Sequence, residues 1–135
     1  MKVLLDTNVL ISAFVFGGVA KELLLKLFSA KASIYVSEYV DAEFLAILHR
    51  KWALQADEIY SLFHELDFIF CKSVEVELGV LRDKKDIPVL SDAIHHQIPI
   101  IVSGDKDFLE AEIDNPIIIS PHDMLEFLKH NEKPL

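Results

Sequence analysis

The chain opens on Met1-Lys2-Val3-Leu4-Leu5-Asp6-Thr7-Asn8-Val9, and the apolar run Val3–Leu5 inside this stretch decides the fold class. An apolar run without alternation is typical of a strand that is buried on both faces of a parallel sheet. The run stops at Asp6, and in open α/β sheets ligands bind at the carboxyl ends of the strands. Asp6 therefore lies where a functional site is expected, although Asp also commonly caps a following helix. Both interpretations stay open at this point.

The rest of the chain alternates short β-rich runs with amphipathic segments. The pattern predicts further strands at Ser33–Val36, Asp67–Val74, Ile98–Val102 and Ile117–Ile119. A helical or looped passage over Val9–Phe16 should turn at Gly17-Gly18. Helices are predicted over Val19–Lys31, Glu38–Lys51 capped by Ser37, Ala56–Leu66, Ile87–Ile94, and after Ser120. This alternation predicts one domain over residues 1–135, a three-layer α/β/α fold with a central parallel sheet of about five strands.

Composition limits the classes of function. The 135 residues are 52% hydrophobic, which supports one domain with a substantial core. The formal net charge of −9 argues against a general nucleic-acid binder, which shows a basic face, but not against an enzyme that acts through metal ions. The single cysteine, Cys71, suits a reducing compartment, and no run of about 18 uncharged apolar residues is present. We therefore expect a soluble cytoplasmic protein without a membrane segment.

Four acidic residues fall at positions that the predicted topology can bring together. Asp6 and Asp105 follow apolar strands, Asp86 begins the helix before the fourth strand, and Glu43 lies beside the apolar stripe of its helix. If the two strands are close in the sheet, three or four carboxylates meet at one edge. Like charges crowded there raise one another's pKa and destabilise the fold unless a cation neutralises them. Oxygen ligands without neighbouring Cys or paired His favour Mg²⁺ or Mn²⁺, which commonly serve phosphoryl chemistry.

The order of these segments resembles that of the PIN domains, a family of metal-dependent ribonucleases. The resemblance extends over nearly the whole chain and rests on Leu4–Asn8, on Glu43 within Ser37–Phe44, on Asp86 ahead of Leu90 and Ala93, and on Val102–Phe108. The last segment is most similar to the PIN subgroup of toxins from toxin–antitoxin pairs, which is related to the VapC-type toxins.

The resemblance also implies roles for particular residues. Four acids are implied to be catalytic and to bind one or two Mg²⁺ or Mn²⁺ ions: Asp6, Glu43, Asp86 and Asp105. Asp107 is implied as an auxiliary acid that also binds metal, and Asn8 and Ser103 would support the ligands through hydrogen bonds. The implied reaction is in-line hydrolysis of an RNA phosphodiester by a metal-activated water. The implied protein partners are a cognate antitoxin and a second copy of the chain, for which the apolar helices Val19–Lys31 and Glu38–Lys51 offer an interface.

Some assignments leave alternatives open. Asp83 competes with Asp86 for the third acidic position, because both lie in the same charged loop. Asp92 stands where many relatives have a small or apolar residue, so it is either an added ligand or a solvated side chain. Five basic residues are weak candidates for RNA contacts, since solvated side chains are the commoner case: Arg50, Lys51, Lys84, Lys85 and Lys106.

Two other functions use acidic residues on a similar sheet. A receiver-like signalling module binds Mg²⁺, but it needs an acidic pair after the first strand and an Asp after the third. Here Thr7-Asn8 follows Asp6, and the third predicted strand ends in Ser73-Val74. A PIN scaffold without turnover, acting as a protein-binding module, is the other alternative, and the presence of all four acids argues against it.

Overall fold

A computed structural model describes residues 1–74 and 86–131, and for Asp86 it describes the backbone alone. Five strands are present in the described residues: β1 (Lys2–Leu5), β2 (Ser33–Ser37), β3 (Ile69–Cys71), β4 (Ile100–Val102) and β5 (Ile117–Ile119). They alternate with seven α-helices: α1 (Thr7–Ile11), α2 (Gly18–Ser29), α3 (Glu38–Lys51), α4 (Ala56–Glu65), α5 (Asp86–His95), α6 (Lys106–Glu110) and α7 (Pro121–His130). A π-helical turn over Ser12–Phe16 continues α1.

The five strands form one parallel sheet in the order β3-β2-β1-β4-β5. This confirms the predicted α/β class with a parallel sheet of about five strands. β1 lies at the centre, where Leu4 pairs with Tyr35 of β2 and with Ile101 of β4. The chain runs to β2 on one side of β1 and later to β4 on the other, so the switch point lies between β1 and β4. A receiver-type sheet has the order 2-1-3-4-5, whereas here β3 pairs with β2 at the edge, which argues against that alternative.

The core explains why the central strands read as unbroken apolar runs. Val3–Leu5 of β1 are fully buried, as are Ile101 and Val102 of β4, because helices cover both faces of the sheet. On one face Phe44 of α3 and Phe63 of α4 meet edge to face, with ring centroids 5.0 Å apart. Each such side chain contributes roughly 1.5–3 kcal/mol through its burial.

The turn predicted at Gly17-Gly18 is present and separates the π-helical turn from α2. Gly17 has φ +83° and Gly18 has φ +61°, a backbone region that glycine adopts without the steric cost of a Cβ. In the described part of the chain no single helix has the length and apolarity to cross a membrane. The bent pair Thr7–Phe16 and Gly18–Ser29 meets that test together, by length and composition alone, and its halves meet at 102°.

Several element ends differ from the sequence prediction. α2 stops at Ser29 rather than at Lys31, because Lys31 has φ +58°, a left-handed conformation that ends a helix. The strand predicted over Asp67–Val74 is paired only at Ile69–Cys71, since its partner β2 ends where α3 begins. The strand predicted over Ile98–Val102 is paired only from Ile100. The short helix α6 was not predicted, and it begins directly after Asp105.

Candidate active site

Asp6 lies at the carboxyl end of β1, where the sheet brings it against β4. Its backbone N–H donates to the carbonyl oxygen of Val102 over 2.9 Å, so the ladder between β1 and β4 continues to this residue. The residue as a whole is 7% exposed. Oδ1 accepts a hydrogen bond from the Thr7 N–H at 2.8 Å, and Oδ2 accepts one from the Ser103 hydroxyl at 2.7 Å. Asp6 therefore caps α1 and is also fixed from the neighbouring strand, so the two sequence interpretations are compatible.

Ser103, which is fully buried, connects Asp6 with Asp105 at the end of β4. Its hydroxyl donates to Asp6 and accepts a hydrogen bond from the Asp105 N–H at 3.1 Å. Asp105 in turn caps α6, because its Oδ1 accepts from the N–H groups of Asp107 at 2.9 Å and Phe108 at 3.3 Å. The Ser103 hydroxyl thus connects the end of β1 with the end of β4, and it fixes the positions of Asp6 and Asp105 relative to each other.

Asn8 and Glu43 complete the group from two helices. The Asn8 Oδ1 accepts a hydrogen bond from the Gly104 N–H at 3.1 Å, which ties α1 to the loop after β4. Glu43 reaches the site from α3, and its Oε2 accepts a hydrogen bond from the Tyr39 hydroxyl at 3.2 Å. The side chains enclose a cavity of about 320 Å³, lined by Asp6, Thr7, Asn8, Ile11, Ser12, Glu43, Ile47, Lys51 and Asp105.

The environment of the cavity disfavours the charged form of Asp6. Burial raises the pKa of Asp6 above its ordinary value of 3.8, and the charges of Glu43 and Asp105 raise it further. The hydrogen bonds from Ser103 and Thr7 act in the opposite direction and only partly offset burial. A divalent cation in the cavity would remove this penalty, because it makes the ionised carboxylates the favoured form.

The donors present fit Mg²⁺ or Mn²⁺. All side-chain ligands offered are oxygens, and the Thr7 Oγ1 is buried without a hydrogen-bond partner in the described structure. No three His, Cys, Asp or Glu side chains within residues 1–74 and 87–131 already stand in the arrangement of a metal site. Asp6, Glu43 and Asp105 line one cavity, but the described structure does not group them into a ready-made ligand set.

The other predicted site residues are placed less centrally or lie outside the described residues. Asp107 is exposed and does not line the cavity, and Asp86 begins α5 with its side chain outside the described set. Lys51, Arg50 and Lys106 are all exposed, and of these three only Lys51 lines the cavity. The Lys106 Nζ lies 3.9 Å from the Glu110 Oε1. The remaining candidates lie outside the described residues: Asp83, Lys84 and Lys85.

Asp92 corrects one expectation, because it is not a solvated side chain. It is fully buried on α5, and its carboxylate accepts hydrogen bonds from the Ser73 hydroxyl at 2.7 Å and the Val74 N–H at 2.8 Å. The Ser73 Oγ also accepts a hydrogen bond from the Tyr39 N–H at 2.8 Å, at the start of α3. Asp92 is therefore an anchor that joins α5, the loop after β3 and α3.

Tyr39 was not identified from the sequence, although a signal for it exists. It precedes Glu43 by four residues, a spacing that puts both side chains on one face of a helix. Its N–H is bound to Ser73 and its hydroxyl to Glu43, so it connects the Asp92 anchor with the cavity. The partner Ser73 is 34 residues away in sequence, and no local pattern indicates it.

Comparisons with known proteins identify a family and similar folds. The model of the PIN domain family matches residues 3–114, which include β1, α3 and the segment after β4. The fold is similar to a chain of VapBC2 from Rickettsia felis, solved bound to a DNA fragment from its promoter: the TM-score is 0.68 and the identity 18%, over 89% of this chain and 98% of that one. It is also similar to VapC20 from Mycobacterium tuberculosis, a toxin that cleaves the sarcin-ricin loop: the TM-score is 0.60 and the identity 13%, over 78% of this chain and 92% of that one.

No curated protein sequence matches the chain. At identities of 18% and 13% the likeness to the solved structures shows the fold alone. The family match is of a different kind, because it spans most of the 135 residues, including those that carry Asp6, Glu43 and Asp105. By that match the chain belongs to the PIN domain family.

Proposed function

We propose that this protein is a Mg²⁺- or Mn²⁺-dependent endoribonuclease that hydrolyses RNA phosphodiester bonds, and that it is the toxin of a toxin–antitoxin pair. The observation that carries the proposal is the cavity at the ends of β1 and β4, which Asp6, Glu43 and Asp105 line together. PIN domains are typically nucleases, and the neighbour VapC20 is a toxin that cleaves the sarcin-ricin loop. Both facts support the same chemistry here.

The proposed ligands are Asp6, Glu43 and Asp105, joined by Asp86 and Asp107 from the resemblance. When bound, the cation activates a water for attack and neutralises charge on the leaving oxygen. Asp6 supplies a buried carboxylate whose direction is fixed by two hydrogen bonds, so little reordering is needed on binding. Asp105 is equally fixed, since α6 donates two backbone N–H groups to its Oδ1.

Neighbouring polar residues maintain this geometry. Ser103 holds Asp6 and the Asp105 backbone together, and Asn8 holds the Gly104 backbone. Such hydrogen bonds orient metal ligands and commonly decide how well a site binds. Lys51, which lines the same cavity, supplies a positive charge for an RNA phosphate.

An antitoxin protein and a second copy of the chain are the proposed partners. The Rickettsia felis neighbour belongs to a VapBC complex, which supports the first. The fold also offers an apolar groove of about 310 Å³ between the π-helical turn, α2 and α4, lined in part by Phe14, Leu24, Phe28 and Leu62. We propose a cytoplasmic location, which the single cysteine supports.

The hydrolysis is tested with purified protein and a labelled single-stranded RNA. Cleavage should require Mg²⁺ or Mn²⁺ and stop in EDTA. Asp6→Asn should lower the rate at least about 100-fold, as expected for loss of a ligand that acts on transition-state charge. Asp67→Asn, an exposed Asp between α4 and β3, is the matched control and should cleave normally.

Three outcomes bear on this proposal. Full cleavage by Asp6→Asn, with circular dichroism showing a folded protein, would reject Asp6 as a ligand. Cleavage that persists in EDTA would reject the metal dependence. Binding of a partner protein without any RNA cleavage would favour the scaffold alternative.

The toxin assignment needs a separate test in cells. Expression of the wild-type chain should arrest growth, and co-expression of the product of the neighbouring gene should relieve the arrest. Asp6→Asn should not arrest growth, because arrest depends on RNA cleavage. If the protein cleaves RNA in vitro but never arrests growth, the hydrolysis proposal stands and the toxin assignment is wrong.

A further inference from the structure

An exposed aromatic pair lies next to the residues that line the acidic cavity. Phe16, the last residue of the π-helical turn, is 72% exposed. Its ring meets Trp52 edge-on, with centroids 5.6 Å apart and an angle of 80° between the rings. Trp52 is half-buried and follows α3 directly, so this contact tethers a Phe16 side chain that is otherwise largely exposed.

The backbone puts this pair at the side of the cavity formed by Ser12 and Lys51. Ser12 lines the cavity, and the Gly17 N–H donates to the Ser12 carbonyl oxygen at 2.8 Å, which closes the wide turn that carries Phe16. Lys51 lines the cavity and is followed by Trp52. π-Helical turns occur frequently at functional sites, where they aim a side chain that a regular helix would direct elsewhere.

The cavity is lined by charged side chains of both signs. The carboxylates of Asp6, Glu43 and Asp105 would bind cations, and through them phosphate oxygens, whereas the ammonium group of Lys51 attracts phosphate directly. An aromatic ring beside a lysine is the combination that binds single-stranded nucleic acid, because the cation follows the backbone and the ring stacks on a base. A base in a duplex is already stacked between its neighbours and cannot reach such a ring.

We infer that Phe16, held by Trp52, is a stacking platform for one nucleobase of single-stranded or looped RNA, next to a phosphate at Lys51. The inference rests on the proposed ribonuclease function and deepens it, since it names a residue of this chain that would contact a base. It also explains how a chain with a net charge of −9 engages RNA. Stacking on Phe16 adds binding that does not depend on a basic face.

The test measures RNA binding with Ca²⁺ in place of Mg²⁺, so that binding is followed apart from turnover. The probe is a short oligoribonucleotide that contains 2-aminopurine, whose fluorescence falls when the base stacks. Phe16→Leu should weaken binding about 5- to 100-fold, the range for loss of one base-stacking contact, and should abolish the fluorescence change. Phe16→Tyr, which keeps the ring, should restore both, and a duplex of the same sequence should bind equally to wild type and Phe16→Leu.

Phe127→Leu is the matched control, because Phe127 is also exposed, at 46%, but lies on α7 away from the cavity. This control should bind RNA as wild type does. Equal binding by Phe16→Leu and wild type, with RNA cleavage intact, would overturn the platform and leave the nuclease proposal standing. Binding that depends on Phe16 without any cleavage would support the platform and overturn the nuclease proposal. No RNA binding by wild type would overturn the platform, and the cleavage assay in Mg²⁺ would decide the nuclease proposal separately.

A protein contact at Phe16 has a different signature. If Phe16→Leu keeps RNA affinity but changes the sedimentation coefficient or removes antitoxin binding, the aromatic pair is a protein interface and the inference is wrong.

Discussion

Replacing Asp92 with alanine should destabilise the protein strongly, because this buried side chain accepts hydrogen bonds from Ser73 and Val74. The change leaves the Ser73 hydroxyl and the Val74 N–H without their acceptor. Each buried or half-buried donor left unpaired costs about 1–3 kcal/mol. Since both donors are half-buried, the expected loss in the free energy of unfolding is about 2–4 kcal/mol. For a domain of this size that corresponds to a fall in Tm of roughly 8–16 °C.

Urea unfolding and thermal melts followed by circular dichroism measure this loss. Asp67→Ala is the matched control, because Asp67 is exposed, and its free energy of unfolding should stay within about 0.5 kcal/mol of wild type. A double-mutant cycle with Ser73→Ala isolates the 2.7 Å bond between the two side chains and should show a coupling of about 1 kcal/mol or more.

Two results would refute the reasoning. One is an Asp92→Ala protein as stable as the control, which would mean that the buried carboxylate contributes nothing net. The other is strict additivity of Asp92→Ala and Ser73→Ala, which would mean that the hydrogen bond carries no energy of its own. A destabilised Asp92→Ala protein, together with a coupling energy of about 1 kcal/mol or more, would support the role of Asp92 as an anchor.

Two further predictions concern the raised pKa values of Asp6 and Cys71. In EDTA, Asp6→Asn should be more stable than wild type at about pH 7, and the difference should shrink as the pH falls towards about 4. The pKa of Asp6 is raised above 3.8 chiefly by burial, so the folded state binds this proton more tightly and loses stability as the pH rises through the folded pKa. A difference that does not change with pH in urea titrations would contradict this. Burial, and secondarily the charge of Asp92, raises the pKa of the Cys71 thiol to about 11, so iodoacetamide at about pH 8 should alkylate it at least about 100-fold more slowly than free cysteine. Unfolding in urea should raise the alkylation rate to that of free cysteine. Alkylation at that rate in the folded protein would show that the pKa of Cys71 is not raised.

The central strands could be predicted from sequence because burial on both faces leaves a clear pattern. Val3–Leu5 and Ile101-Val102 read as unbroken apolar runs for that reason. The edge strand β3 was predicted too long, since Ile69 and Phe70 are partly exposed and its length is set by pairing with β2. Composition at an edge does not report where the partner strand ends.

In the candidate site, too, the placement of some residues could be predicted from the sequence and that of others could not. Asp6 and Asp105 were predictable because each follows an apolar strand, and the register of Leu5 with Val102 then brings the two strand ends together. The sequence alone did not establish that β1 and β4 are neighbours in the sheet. The function of Asp92 was not predictable, because its partners Ser73 and Val74 lie 19 and 18 residues away with no periodic relation to it.

The acids in the cavity each have a local partner that does not depend on a metal. Asp6 caps α1 and accepts from Ser103, Asp105 caps α6, and Glu43 accepts from Tyr39. Hydrogen bonds to a carboxylate favour its charged form, and here the donors are supplied by the fold itself. The raised pKa of Asp6 shows that the compensation is incomplete. The cation proposed for this cavity would relieve that remaining penalty, so adding Mg²⁺ should raise the stability of the folded protein.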